Sequence, residues 1–391
     1  MARRGELLEH HTLVVRDGRI LEVLPDAAAR ERYAPRMVLE RPEHLLMPGL
    51  INARTRIAPG GRADAAAPFP ADAALLSIAN MLCGGTTCFG EIGYFPQAAA
   101  QTAVAQGMRA MIGLPVAEHP SPWAREPGEY LTRALGLRDE YKGHPTISTG
   151  FAPLGAATLS DATFARIGTL ADELDAGVLL CMHRSQREID ASIREHGRSP
   201  MARLQGLGLL TPALTAAHLV RLDGPDIELA QRGGIGVTLC PASDLRQGNG
   251  VAPIAALTAA GLRMSLGSDG AVCGPAQDLW SEIRLIALHA QPPIEPWDVL
   301  AAATRTAAAV MGLDAEIGTL EAGKWADLCC LDLRAPPVQP LDDPLRQLVF
   351  SGGRDMVSDV WVAGRQLLSK RQFTRLDWQS LAARLSAAPR A

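Results

Sequence analysis

The side chains with chemistry in this chain stand at the ends of apolar runs. Thr215-Ala216-Ala217-His218 ends in an imidazole, and Gly267-Ser268-Asp269-Gly270 presents a carboxylate. An imidazole oriented by a carboxylate can act as a general base near neutral pH. Val178-Leu179-Leu180-Cys181-Met182-His183-Arg184 adds a thiol, a second imidazole and a guanidinium. Asn52-Ala53-Arg54-Thr55-Arg56 places two more guanidinium groups two residues apart, on one side of a strand. Glu91 closes the run Thr86–Glu91, where its carboxylate can reach the same region.

Each group has a quieter reading beside the chemical one. His218 and Asp269 can form a base pair, or His218 can be a satisfied core histidine. Cys181 can be a nucleophile if nearby arginines stabilise its thiolate, or a buried thiol that continues the apolar run before it. His183 shares the side of Cys181 by period-two alternation and so faces the same cavity. Arg54, Arg56 and Arg184 can fork onto a carboxylate or phosphate ligand, or the first two can serve only to compensate Asp269 and fill space. The remaining histidines show no ligand spacing.

These runs alternate with longer Ala/Leu-rich helical patterns, the rhythm of βα units around a parallel sheet. The expected strands are Leu45–Ala53, Thr86–Glu91, Ala110–Val116, Thr146–Ala152, Val178–His183, Leu214–His218, Gly236–Cys240 and Arg263–Asp269. Eight of them predict an α/β fold, a (β/α)8 barrel, with chemistry at the C-terminal strand ends. Val14–Val23 reads as a hairpin around Asp17-Gly18. With Gly318–Leu328 and Val357–Arg365 it predicts a small β-sandwich built from residues 1–47 and 317–391, outside a barrel of residues 48–316.

A chain of 391 residues, 47% hydrophobic and 20% charged, has the composition of a globular protein. A net charge of −4 gives no footprint for nucleic acid, and no apolar run is long enough for a membrane span. No signal-peptide pattern opens the chain, so a cytoplasmic location is expected. Seven scattered cysteines make neither a CxxC pair nor a zinc knuckle.

Met47-Pro48-Gly49-Leu50-Ile51-Asn52-Ala53, Gly84-Gly85-Thr86-Thr87-Cys88-Phe89, Cys240-Pro241-Ala242-Ser243-Asp244-Leu245, Gly267-Ser268-Asp269-Gly270 and Gly323-Lys324-Trp325-Ala326-Asp327-Leu328 together resemble the amidohydrolase superfamily. The likeness is to its branch of S-adenosylhomocysteine and methylthioadenosine deaminases and triazine chlorohydrolases. The resemblance implies, for an active member, four histidines and an aspartate around one divalent metal, with a glutamate and a histidine moving protons. His218 and Asp269 match the sixth- and eighth-strand positions. The first-strand His-x-His is replaced by Arg54 and Arg56, and the fifth-strand His-x-x-Glu by Cys181 and Arg184. Leu154 and Leu239 replace two further histidines, and the Pro- and Ala-rich segment from Ile57 to Asp72 looks shorter than the family's substrate-covering insertion.

A guanidinium has no lone pair for a metal, so no metal or other cofactor is expected. The sequence therefore predicts a non-metal protein that binds an anionic or nitrogen-heterocycle small molecule, as a pseudoenzyme or with repurposed metal-independent catalysis. On this reading His218 and Asp269, with Cys181 and His183 as further candidates, would be catalytic, and Arg54, Arg56, Arg184 and Glu91 would bind the ligand. The alternative is a hydrolase or deaminase acting on carbon–nitrogen bonds of a purine-like or other heterocyclic substrate. Family habit suggests a homodimer, or pairing with an active paralogue.

Overall fold

The computed structural model describes residues 7–57, 70–270 and 277–387. The first strands, β1 (His11–Arg16) and β2 (Arg19–Pro25), form the expected hairpin. Asp17 and Gly18 both take positive φ, 52° and 79°, as the tight turn of a right-twisted hairpin requires.

The expected strand Leu45–Ala53 is in fact two. Its first half, β3 (His44–Pro48), pairs with a C-terminal strand, and its second, β4 (Leu50–Arg56), belongs to the barrel. Pro48 and Gly49 mark the break, because proline brings no N–H to a ladder. The barrel continues through β5 (Thr86–Glu91), β6 (Arg109–Val116), β7 (Ile147–Pro153), β8 (Val178–Met182), β9 (Leu214–His218), β10 (Gly236–Leu239) and β11 (Arg263–Leu266). A short β12 (Asp269–Gly270) follows. The parallel order runs β11-β10-β9-β8-β7-β6-β5-β4-β12. β11 and β12 are two pieces of the eighth strand line, one on β10 and the other on β4, so the barrel closes.

The interruption at Gly267 and Ser268 is bridged by the first strand. Asn52 donates to Ser268 Oγ at 2.7 Å and accepts from the Ser268 N–H at 3.0 Å, replacing missing ladder bonds. β4, β5 and β6 are buried almost throughout, which is why they read as continuous apolar or small-residue runs without alternation.

Both ends of the chain meet in one antiparallel sheet. Its order is β16 (Gln372–Phe373), β15 (Arg365–Ser369), β14 (Val357–Val362), β13 (Leu328–Asp332), then β3. The expected strand over Gly318–Leu328 forms only from Leu328 onward. Asp327 ties this sheet to the barrel, accepting from Arg109 Nε at 2.7 Å, Arg109 Nη2 at 3.1 Å and the Ala363 N–H at 2.8 Å. Among the described residues no helix is long and apolar enough to cross a membrane.

Candidate active site

The C-terminal ends of β4, β8, β9 and β12 bring Arg54, Cys181, His218 and Asp269 together. Arg54 is 1% exposed. Its Nη1 donates to Asp269 Oδ1 and its Nη2 to Cys181 Sγ at 3.3 Å. Asp269 also accepts from Ser243 Oγ at 2.5 Å and lies 3.8 Å from Arg184 Nη2. The backbone leaves room for Arg54 only because residue 267 is glycine: a Cβ there would stand 2.7 Å from Arg54 Cβ. Gly270 does the same for Arg56, where a Cβ would stand 2.9 Å from Arg56 Cβ.

His218 ends β9 with φ at 79°, followed by Leu219 at 52°. Such backbone is costly for residues with a Cβ and clusters at sites the surroundings over-determine. Its Nδ1 meets Asp244 Oδ1 at 3.0 Å and Oδ2 at 3.2 Å, and its Nε2 meets Arg184 Nη2 at 2.7 Å. A guanidinium can only donate, so Nε2 accepts and Nδ1 carries the proton toward Asp244. The partner expected for His218 was Asp269. The structure gives it Asp244 instead, because Arg54 and Ser243 claim Asp269 from the other side.

Asp244 and Ser243 lie on the helix Pro241–Arg246, which begins directly after β10 with proline in its first turn. The sequence singled out the segment as a motif without giving either residue a role. The available signal was a serine-aspartate pair at a strand-to-helix junction on the catalytic face of the barrel.

His183 does not join the cluster. β8 ends at Met182, and at His183 the backbone turns to φ 53°, so alternation no longer predicts its side. The ring donates from Nδ1 to the Arg221 carbonyl at 2.8 Å and accepts at Nε2 from the Met201 N–H at 3.1 Å. Both nitrogens are engaged in holding the backbone.

Glu91 reaches the first strand. It accepts from Thr55 Oγ1 at 2.9 Å and from the Ile57 N–H at 3.0 and 3.2 Å. Burial pushes its carboxyl up to about 7, against these bonds and the charges of Arg56 and Arg54. Arg56 makes no hydrogen bond or ion pair among the described residues, and its Nε is buried without a partner. Burial, then the charge of Arg54, lowers its pKa. Burial opposes ionisation of Cys181, but the charges of Arg54 and Arg184 hold the thiol well below its usual range. The segment expected to be a shortened substrate cover, from Ile57 to Asp72, lies mostly outside the described residues.

Behind Asp244, Glu282 accepts from the Ala242 N–H at 3.0 Å, and burial lifts its pKa from 4.5 to about 8. An acid with a higher pKa folded than unfolded binds its proton more tightly in the fold. The fold therefore loses stability as pH rises from 4.5 through the folded value. Glu282→Gln keeps the acceptor and cannot ionise. Its melting temperature is expected to fall less than the wild type's between about pH 5 and about pH 8.5; parallel falls would show that Glu282 does not titrate in this range.

At this barrel mouth guanidinium groups engage the lone pairs a metal would need. Arg54 engages Asp269 and Cys181, and Arg184 engages His218 Nε2. Among the described residues no group of three or more His, Cys, Asp or Glu could hold a metal ion. These residues do not fit a metal.

The amidohydrolase family model matches residues 45–367, and the chain belongs to that family. It is 35% identical, over 96% of its length and 92% of the relative's, to a 5-methylthioadenosine/S-adenosylhomocysteine deaminase of Teredinibacter turnerae. The homologous deaminase of Saccharophagus degradans is 33% identical over 96% of this chain and 91% of its own. An adenosine deaminase from Xanthomonas campestris, solved with bound zinc, superposes with a TM-score of 0.94 at 36% identity, covering 98% of this chain and 94% of that one. Atrazine chlorohydrolase from Arthrobacter aurescens TC1, complexed with zinc, shares the fold with a TM-score of 0.88 at 21% identity, over 97% and 95% of the two chains.

These likenesses correct the main functional expectation. Relatives this similar over nearly the whole chain are named as deaminases, which points to an enzyme rather than to a pseudoenzyme that only binds a small molecule. The hydrolase or deaminase alternative accords with them better.

Proposed function

We propose that this chain is a hydrolase that deaminates an amino-substituted, purine-like heterocycle, exchanging a carbon–nitrogen bond for a carbon–oxygen bond. The observation that carries this reading is the likeness to deaminases along nearly the full chain. Adenine-bearing thioethers such as methylthioadenosine and S-adenosylhomocysteine are the first substrates to try, because the relatives' names specify them.

The residues supply the parts such a reaction needs from a protein. His218 offers a lone pair on Nε2 once Arg184 moves aside, and Asp244 holds the ring in that tautomer. Arg184 can move, since its side chain is 31% exposed where that of Arg54 is 1% exposed. Glu91, with its pKa near 7, can hold or give a proton beside Arg56. The Arg56 guanidinium, whose Nε has no partner among the described residues, suits a carbonyl, ring nitrogen or anionic substituent of the substrate. The same reading carries a cytoplasmic homodimer as a proposal.

The test is ammonia release by purified protein from a panel of aminopurine nucleosides, their thioethers and amino-triazines. Release from at least one member, saturable in substrate, is expected. No release from any of them would remove the reading.

A further inference from the structure

Cys181 and the imidazole of His218, held by Asp244, stand at the ends of neighbouring strands. In the parallel register of β8 and β9, Cys181 pairs with Ala217 and Met182 with His218, so the thiol and the imidazole sit one step apart on neighbouring strands. Asp244 fixes the far nitrogen of that ring at 3.0 Å, and Arg54 Nη2 stands 3.3 Å from the sulfur with its other amino group on Asp269. Such an arrangement activates a nucleophile through an adjacent base that a third group orients.

Two further observations set this cysteine apart. The Nε atoms of Arg54, Arg56 and Arg184 are all buried without a hydrogen-bond partner among the described residues, so the mouth around the sulfur holds unsatisfied donors. The fully buried thiols of Cys88, Cys240 and Cys329 are pushed upward by burial, whereas Cys181 is only half-buried and is held in the opposite direction.

We propose that Cys181 is the nucleophile of this site, and that carbon–nitrogen hydrolysis runs through a covalent thioether to the carbon that carries the amino group. The proposal rests on the deaminase reading for its substrate. The Cys181 proton passes to His218 Nε2 after Arg184 swings off that atom. The thiolate then adds to the amidine-like ring carbon. A C–S bond forms, the C–N bond breaks, and the imidazolium proton leaves with the nitrogen as ammonia. Water adds to the same carbon and gives its proton to Nε2, a C–O bond forms, and the C–S bond breaks to return the thiolate. The sum is amine plus water giving hydroxyl product plus ammonia, with no redox change. Arg54, fixed by Asp269, stays beside the sulfur through both halves.

The substrate class that follows is a planar heterocycle whose amino-bearing carbon is flanked by a ring nitrogen, since only an electron-poor carbon of that kind accepts a thiolate and then releases it.

The experiment uses the intact protein and has two arms. Iodoacetamide alkylation of the folded chain is mapped by peptide mass, with half-buried Cys83 as the internal reference. Cys181 is expected to react at least about 10-fold faster than Cys83, and Arg54→Met to remove that advantage. In the second arm, ammonia release by Cys181→Ser is expected to fall about 100-fold or more. Acid quench during wild-type turnover is expected to show the chain heavier by substrate minus ammonia, on the Cys181 peptide.

Ammonia release that survives Cys181→Ser overturns the nucleophile and leaves the deaminase reading standing. Fast, Arg54-dependent alkylation with no ammonia from any amine supports the activated thiol and removes the deaminase reading. Alkylation of Cys181 no faster than Cys83 overturns the proposal whatever the turnover.

Discussion

Arg54→Ala is expected to cost about 3–5 kcal/mol of stability, the range for removing one partner of a buried ion pair. The guanidinium is 1% exposed and holds Asp269 and Cys181 at once. Without it Asp269 keeps Ser243 and a more distant Arg184, while the half-buried thiol loses its nearest cation. A void as large as most of an arginine side chain adds to the loss. Arg54→Met separates the two causes, since it fills most of the volume and restores no charge. Urea midpoints for the three proteins measure the difference. A loss under about 1 kcal/mol for Arg54→Ala would mean that solvent enters the site and screens Asp269.

His218→Ala carries the largest expected effect on turnover, a fall of roughly 100- to 10,000-fold in kcat, the usual span for a proton-transferring side chain. The base stands on one lone pair, Nε2, and on one partner, Asp244, that decides which nitrogen is free. Asp244→Asn is therefore expected to lose activity too, although no charge near the substrate changes sign. An asparagine NH2 can donate to Nδ1, which moves the ring proton to Nε2 and blocks the base. As a positioning residue Asp244 has a distinguishing readout: Asp244→Glu, which keeps a carboxylate acceptor for Nδ1, is expected to recover part of the kcat that Asp244→Asn loses, with KM little changed in either. Turnover unchanged in His218→Ala would assign the proton transfer to Glu91 or to the thiol.

Much of the barrel was legible because its strands are buried on both faces and bounded by turn residues. Asp17-Gly18 announced its hairpin through the positive φ that both positions adopt. The split of Leu45–Ala53 was also written, in Pro48 and Gly49, but the run is apolar on both sides of the break and so reads as one strand. The two halves answer to different sheets, a tertiary fact without local expression.

The site was legible as a set of residues and less so as a set of pairs. Strand-end positions of Arg54, Cys181, His218 and Asp269 follow from the βα rhythm. Which carboxylate serves His218 depends on the short helix after β10 and on Arg54 having taken Asp269. His183 shows where alternation fails: its positive φ ends the pleat one residue early, and the ring turns to the Arg221 carbonyl. Gly267 and Gly270 are the complement of Arg54 and Arg56, a fit between first and last strands visible only once the barrel closes.

Function was the part least readable from residue types. Counting lost ligands argued for a non-metal protein, either a pseudoenzyme or one with repurposed catalysis, yet nearly full-length likeness to deaminases argues for an enzyme. The guanidinium groups reconcile the two at the level of charge: Arg54 puts a permanent cation between Asp269 and Cys181, and Arg184 keeps the His218 lone pair covered until something displaces it.

The most direct test of carbon–nitrogen hydrolysis is turnover in water enriched in heavy oxygen. The protein is incubated with methylthioadenosine, and ammonia and product mass are followed together. Ammonia is expected in step with a product carrying one heavy oxygen on the carbon that lost the amine, both abolished by His218→Ala. Ammonia without label, or neither signal at any protein concentration, would contradict carbon–nitrogen hydrolysis.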